Sequence, residues 1–424
     1  MKTDIVIVGT GVAGLYCALS LPKEKNVILL TKSAAEDSDS YLAQGGICVQ
    51  RDDSDYDSFY EDTMRAGHYE NKPESVDIMI RSSRSVIDDL LKFNVDFDKN
   101  ENGLLYTREG AHSRPRILFH KDITGKEITS KLLCEARKRE NLTIIENYTV
   151  VDLIVSFDEC RGVIGRNADG EYSSIVADYT VLATGGIGGL YKHSTNFKHL
   201  TADALAFALK YGVRLKNIDY IQIHPTTLYS KRGGRDFLIS ESVRGEGAIL
   251  LNSKGERFVN ELLPRDVVAN AIFAEMEKEG SEHVWLSLAP IPNEEILSHF
   301  PNIHARCLEE GYDVTKEPIP VVPAQHYFMG GIEVDSNSKT SMARLYAAGE
   351  TSCNGVHGKN RLASNSLLES LVFAKRAAMH ISSDYNKLTD ISEPEIDSRA
   401  YDNCDFEYKE SVLLAIRKEK ERNE

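Results

Sequence analysis

The chain carries little that would stabilise it covalently. Seven cysteines, Cys17, Cys48, Cys134, Cys160, Cys307, Cys353 and Cys404, are scattered over 424 residues with no Cys-x-x-Cys pair. An odd, dispersed set excludes a disulfide framework or a zinc-ribbon pattern and suits reduced thiols. Long apolar runs are also missing, since none approaches the roughly 18 residues of a membrane helix. The first residues enter a strand pattern at once, so no signal peptide is expected. Positive charge is in deficit, with a formal net charge of −15. That balance makes nucleic acid and an anionic membrane surface poor partners. Internal repeats and long low-complexity tracts are absent. What remains is the profile of a cytoplasmic enzyme, with enough chain for two or three domains.

One absence is local and more informative. Asp4 to Val8 reads as a buried parallel strand, followed by Gly9-Thr10-Gly11-Val12-Ala13-Gly14 and a helix from Val12 to Leu21. This is the strand–glycine turn–helix of a dinucleotide site. Gly9 permits the turn, Gly11 lets backbone approach a pyrophosphate, and Gly14 lets helix and strand pack closely. The helix N-terminus then faces the anion. The second strand, Val27 to Leu30, ends in Thr31-Lys32 and lacks the acid that usually holds a nicotinamide dinucleotide's ribose. Glu36 follows in a polar run and reads as solvated loop. The missing acid argues against a simple NAD dehydrogenase and leaves room for a flavin.

Downstream, apolar residues at helical spacing mark Val76–Leu91, with Pro73 at a first-turn position, and Lys126–Arg139. Strand patterns follow at Thr143–Glu146, Val150–Ser156, Arg161–Ile164 and Ser174–Ala183. The last ends in Thr184-Gly185-Gly186, and a similar ending, Ala347-Ala348-Gly349-Glu350, lies far downstream. Two such strands so far apart predict one sheet interrupted by an insertion. The expected fold is α/β: a Rossmann-like dinucleotide domain in two segments, 1–216 and 328–384, with an inserted α+β capping domain at 217–327. A short helical remnant, 385–424, would be a charged surface helix with little core.

Several polar stretches could carry chemistry, each with a bland alternative. Ala43-Gln44-Gly45-Gly46 is either a plain turn or a close approach of backbone to a flat ring. Thr107 to Ser113, which contains Glu109, reads on composition as a solvated loop. His224 precedes a proline and is restricted to extended backbone; a lone histidine is more often structural. Arg265 opens a helix and could be a surface cap. His326 lies beside a glycine turn. Asn360-Arg361-Leu362-Ala363-Ser364-Asn365-Ser366-Leu367 suits a helix N-terminus facing an anion, or simple capping. Together, His224, Arg265, His326 and Arg361 are four anion donors beside one carboxylate, Glu109. In an acidic protein that set suits a small dicarboxylate.

These stretches, in this order and spacing, resemble the L-aspartate oxidases of the succinate dehydrogenase/fumarate reductase flavoprotein superfamily. The matches are GTGVAG at Gly9, AQGG at Ala43, TREGAHS at Thr107, ATGG at Ala183, QIHPT at Gln222, RGEGAIL at Arg244, LPRD at Leu263, PAQHYFMGG at Pro323, AAGE at Ala347 and NRLASNSLLES at Asn360. The resemblance implies FAD along Gly9, Gly11, Val12, Ala13, Gly14, Thr31, Lys32, Ala43, Gln44, Gly45, Gly46, Thr184, Gly185, Asp203, Glu350, Ser364, Asn365, Ser366 and Leu367. It implies a substrate held by Glu109, Gln222, His224, Ser240, Glu241, His326 and Arg361, with Arg265 as proton-transfer group and Glu109 and His224 at the reacting centre. The activity implied is oxidation of L-aspartate to iminosuccinate, the entry to quinolinate and NAD. Oxygen or fumarate would be the acceptor, with a hand-off to quinolinate synthase. A soluble fumarate reductase and a flavin-binding module without turnover are the alternatives. Membrane-linked relatives attach FAD through a histidine five residues before Gln44; here that position is Asp39, so FAD is expected to be non-covalent. Three departures stand out: Thr201-Ala202-Asp203-Ala204 where the family has Thr-Gly-Asp-Gly, the run Arg116 to His120, and a shortened C-terminal helical domain.

Overall fold

A computed structural model describes residues 1–101, 103–232, 234–389 and 393–423. Its main sheet grows from the first strand, Lys2–Val8. Burial on both faces suits its apolar run, and parallel neighbours supply the ladder: Val27–Leu30 on one side, then Leu142–Ile145, and Tyr172–Leu182 on the other. The free edge of Tyr172–Leu182 is divided. Its first half pairs antiparallel with Glu159–Arg166, which hairpins to Thr149–Ser156; its last residues pair in parallel with Leu345–Ala347. The two glycine-ended strands, far apart in the chain, are thus adjacent, with Thr180 opposite Leu345.

The helix Val12–Ser20 covers this sheet and packs on Asn365–Ser383 and Thr124–Arg137, and Pro73–Lys92 packs on Asn365–Ser383 as well. Leu15, Ile80, Leu132, Leu368 and Phe373 share one buried cluster there. Pro73 stands at the first turn, where its missing N–H costs nothing. Helix and strand bounds depart from the sequence expectations by one to three residues, as frayed ends do.

Between Leu215–Lys216 and Gly331–Glu333, which pair with one another, the chain builds a second, antiparallel sheet. Its order is Phe237–Leu238, Ile221–Leu228, Ile319–Phe328, Val284–Ser287 and Ile249–Leu251. The helix Arg265–Glu279 packs on Ile221–Leu228 and places Val268 and Ile272 in the cluster of this layer. Among the described residues no helix is long and apolar enough to cross a membrane.

The C-terminal helix, Cys404–Asn423, is charged and adds little core: Cys404, Val412 and Ile416 are buried, the last two with Leu205 and Ala206 of the helix Asp203–Tyr211. Tyr408 stands edge-on to Phe207 at 5.7 Å, and its hydroxyl donates to Val151 O. Tyr401 donates to the buried Asp152 carboxylate at 3.1 Å. Apolar stripes and tyrosines, sparse in a charged sequence, hold it down.

Ala202 precedes the helix Asp203–Tyr211 in the left-handed region, with φ +63° and ψ +29°. A side chain there meets the following carbonyl, which costs about 1–2 kcal/mol. This accounts for glycine at the corresponding family position. Ala202→Gly is expected to raise stability by about 0.5–1 kcal/mol after the added freedom of the unfolded chain is subtracted. Chemical denaturation of the two proteins measures it; a destabilised variant would show that Ala202 packing outweighs the strain.

Candidate active site

A continuous cleft runs from the glycine turn to the capping sheet, with about 1700 Å³ of free space including its open mouth. Its lining joins the glycine turn at one end to Arg265, Arg361, His224 and His326 at the other, so one end suits a dinucleotide and the other a small anion.

At the dinucleotide end, Gly9 has φ +118°, and a Cβ there would lie 2.0 Å from Ala183 O. Gly14 does not line the cleft; a Cβ there would lie 2.0 Å from Gly9 O, so its role is close packing. Gly11, at the N-cap of the Val12–Ser20 helix, has no side chain to cap it, and Ser40 Oγ accepts from Val12 N–H at 3.2 Å. Its dipole points into the cleft unneutralised by any acid in the first turn. Thr31 and Lys32 line the same end, and Lys32 is paired with Asp203 at 2.7 Å. Further along, Ala43 to Gly46, Thr184, Gly185, Glu350, Ser364, Ser366 and Leu367 line the wall. Gly46 N–H donates to Ser364 Oγ, and Phe328 N–H donates to Glu350. Asn365 does not face the cleft; its side chain donates to Thr63 Oγ1. The buried Gln44 Oε1 and Asp39 Oδ2 have no hydrogen-bond partner among the described residues. Glycine clearances, a helix N-terminus turned to the cleft and orphaned polar atoms together fit a dinucleotide carrying a flat polar ring.

Under the cap, opposite charges are buried together. Arg265 is 7% exposed and belongs to no surface cap. Its Nε donates to Glu241 at 2.5 Å and its Nη1 to Gln222 at 2.8 Å. Gln222 in turn donates to Asn360 Oδ1 and Arg361 O, and does not itself line the cleft, so it positions the arginines. Burial would raise the Glu241 carboxyl, but Arg265 and Arg244 outweigh it and hold the group below its ordinary range. Arg244 is fully buried, 3.7 Å from Glu241 and bonded to Glu261 O. Burial, then Arg265, lowers Arg361 to about 10. Its guanidinium lies over the Tyr327 ring at 4.5 Å, and Nη1 donates to Ser366 Oγ.

His224 is 0% exposed. Its Nδ1 lies 3.2 Å from Thr226 N and 3.1 Å from Thr226 O, while Nε2 has no hydrogen-bond partner among the described residues. His326 stands edge-on to it at 5.1 Å and meets Thr195 Oγ1 through Nδ1 at 2.8 Å. Burial, then Arg265, pushes both imidazoles well below their ordinary value, so both are neutral. Ser240 opens the short helix Glu241–Gly245 and accepts from Ser242 N–H.

The loop expected to be solvated is only partly so: Arg108 and Ser113 are exposed, while Glu109, Gly110 and His112 are buried. Glu109 is 5% exposed and accepts from Ser242 Oγ at 2.9 Å and Ser364 Oγ at 2.6 Å. Burial, then the charge of Glu241, raises its carboxyl. Thr195, Arg235 and Tyr327 also line the cleft, beyond the residues that the sequence points to individually. No spacing in the sequence marks them, because they reach the site from separate loops and strands.

A family model described as an FAD binding domain matches residues 4–367. An L-aspartate oxidase of Clostridium perfringens is 51% identical over 386 residues, which is 91% of this chain and 88% of that protein. One of Clostridium acetobutylicum is 53% identical over 383 residues, covering 90% and 88%. A Synechocystis L-aspartate oxidase is 43% identical, and the match covers 88% of this chain but 69% of that protein. Among solved structures, E. coli quinol fumarate reductase superposes with a TM-score of 0.85 at 28% identity, covering 99% of this chain and 74% of that one. With a cleft shaped for a dinucleotide and such identity across nine-tenths of its length, the chain belongs to the L-aspartate oxidase family of FAD-binding flavoproteins.

Proposed function

We propose that the chain oxidises L-aspartate to iminosuccinate with FAD, reoxidised by oxygen or fumarate, as the first step of NAD synthesis through quinolinate. It would act in the cytoplasm and pass its product to quinolinate synthase. Segments 1–216 and 328–384 would hold the cofactor, with 217–327 closing over the substrate. FAD, when bound, supplies the hydride acceptor. Every other role falls to side chains. Arg361 and the neutral His224 and His326 hold the two carboxylates; a proton on His224 Nε2, with Nδ1 accepting from Thr226 N–H, makes it a donor. These anchors orient the Cα–H bond, and orientation is the larger part of the gain. Arg265, held on Glu241 and Gln222, moves a proton at the neighbouring carbon or stabilises charge there.

The observation that carries this reading is Glu109, a carboxylate buried among serine hydroxyls beside a cluster of cations. A cradle for succinate or fumarate alone has no use for it. A substrate ammonium gives it a direct ion pair, which no cation among the described residues makes with it. Glu109→Gln is expected to weaken aspartate oxidation by about 2–4 kcal/mol in kcat/KM, and fumarate reduction much less. Both activities, measured on the one variant, decide the matter; equal losses would favour a soluble fumarate reductase in which Glu109 is structural.

Arg265→Ala is expected to lower kcat by about 10²-fold or more, with little change in substrate binding. A rise in KM alone would make Arg265 a carboxylate anchor. Non-covalent FAD follows from Asp39 in place of the linking histidine, since a carboxylate cannot make that linkage. Acid precipitation is expected to leave yellow flavin in the supernatant, and flavin retained in the pellet would refute the assignment.

A further inference from the structure

We propose that His112 is a positioning residue that sets the spacing between the ammonium-binding Glu109 and the carboxylate-binding Arg361, tying their two segments together through a single imidazole bridge. This rests on the reading of the site given above.

Arg116 is fully buried, and its donors are committed. Nε and Nη2 bond Asp55, Nη2 also bonds Ser58 Oγ at 2.9 Å, and Nη1 bonds Asp62 at 2.7 Å. Nη1 also lies 3.0 Å from His112 Nδ1. A guanidinium has no acceptor, so Nδ1 must carry the lone pair and the ring proton must sit on Nε2. Nε2–H then donates to Ala363 O at 3.0 Å. Burial, with Arg116 beside it, holds the imidazole down at about 4, so the bridge stays neutral.

Both ends of the bridge are substrate segments. His112 lies three residues from Glu109, and its N–H closes a turn onto Glu109 O. Ala363 lies between Arg361 and Ser364, and Ser364 is a donor to Glu109 itself. The loop does not hold this shape alone. Ala111 sits at φ +65°, a strained position that persists only when its surroundings dictate it. Asp62 supplies that constraint by accepting from Ser113 N–H and Oγ as well as from Arg116. The chain thus separates the charge support, Asp55–Arg116–Asp62, from the ruler, His112.

Aspartate differs from fumarate in needing both ends of that ruler. FAD-loaded wild type, His112→Gln and His112→Asn test it. Glutamine can place an N–H where Nε2–H stands and keep the bond to Ala363 O. Asparagine can place an acceptor where Nδ1 stands, which satisfies Arg116 but drops the bridge. The ratio of kcat/KM for aspartate oxidation to that for fumarate reduction is expected to fall about 10-fold or more in the asparagine variant and to stay within about 3-fold in the glutamine variant. An unchanged ratio in the asparagine variant, or equal falls in both, overturns the proposal. Nitrogen-15 resonances of His112 in the wild-type holoenzyme provide a readout that needs no variant: a proton on Nε2 is expected, and a proton on Nδ1 overturns the bridge. Wild type that oxidises no aspartate overturns the functional reading and the purpose given to the bridge; active wild type with an unchanged ratio overturns the bridge alone.

Discussion

Burying cations is the constraint on which the site depends. Arg244, Arg265 and Arg361 are withdrawn from water around one close carboxylate, Glu241. An uncompensated buried charge costs several kcal/mol, and the surroundings answer it in stages. Glu241 remains ionised against its own burial, Arg361 is lowered and stacked on Tyr327, and the two histidines are held neutral. The remaining positive excess is a site for an anion with two negative groups. Substrate binding and the stability of this layer therefore draw on the same charges.

The same constraint explains how the chain is threaded. Arg265 and Glu241 come from the capping layer, Arg361 from the segment that returns to the main sheet, and Glu109 from the first segment. The insertion must leave and re-enter at one place for these to meet. Leu215–Lys216 pairing with Gly331–Glu333 provides that place. Gly9 and Ala183 meet at the opposite end of the cleft, where the two central strands end side by side.

Local pattern made much of the fold legible. The Asp4–Gly14 stretch, the Val27–Leu30 strand and the proline-led helix all show their period and turn chemistry on the page. The charged C-terminal helix reads as a surface helix because its buried residues are few among many solvated ones. The polar loops misled for a deeper reason. Glu109 and His112 have the composition of a surface turn, and partners far along the chain make them interior: Ser242 and Ser364 for Glu109, Arg116 and Ala363 for His112. Local propensity cannot see a partner that distance brings. The resemblance supplied those positions because it carries order and spacing over the whole chain.

Neither Asn365 nor Gln222 lines the cleft: the Asn365 amide donates to Thr63, and the Gln222 amide joins Arg265 to Asn360. An amide offers both donor and acceptor, so it can join two charged or polar groups without adding charge of its own. In a layer already rich in cations, that neutrality is what a connecting residue must have. A carboxylate at Gln222 would compete with Glu241 for Arg265, and a further cation would deepen the excess. The Gln222 amide is therefore placed where the structure needs geometry and cannot accept more charge, and the charged side chains are left to meet the substrate.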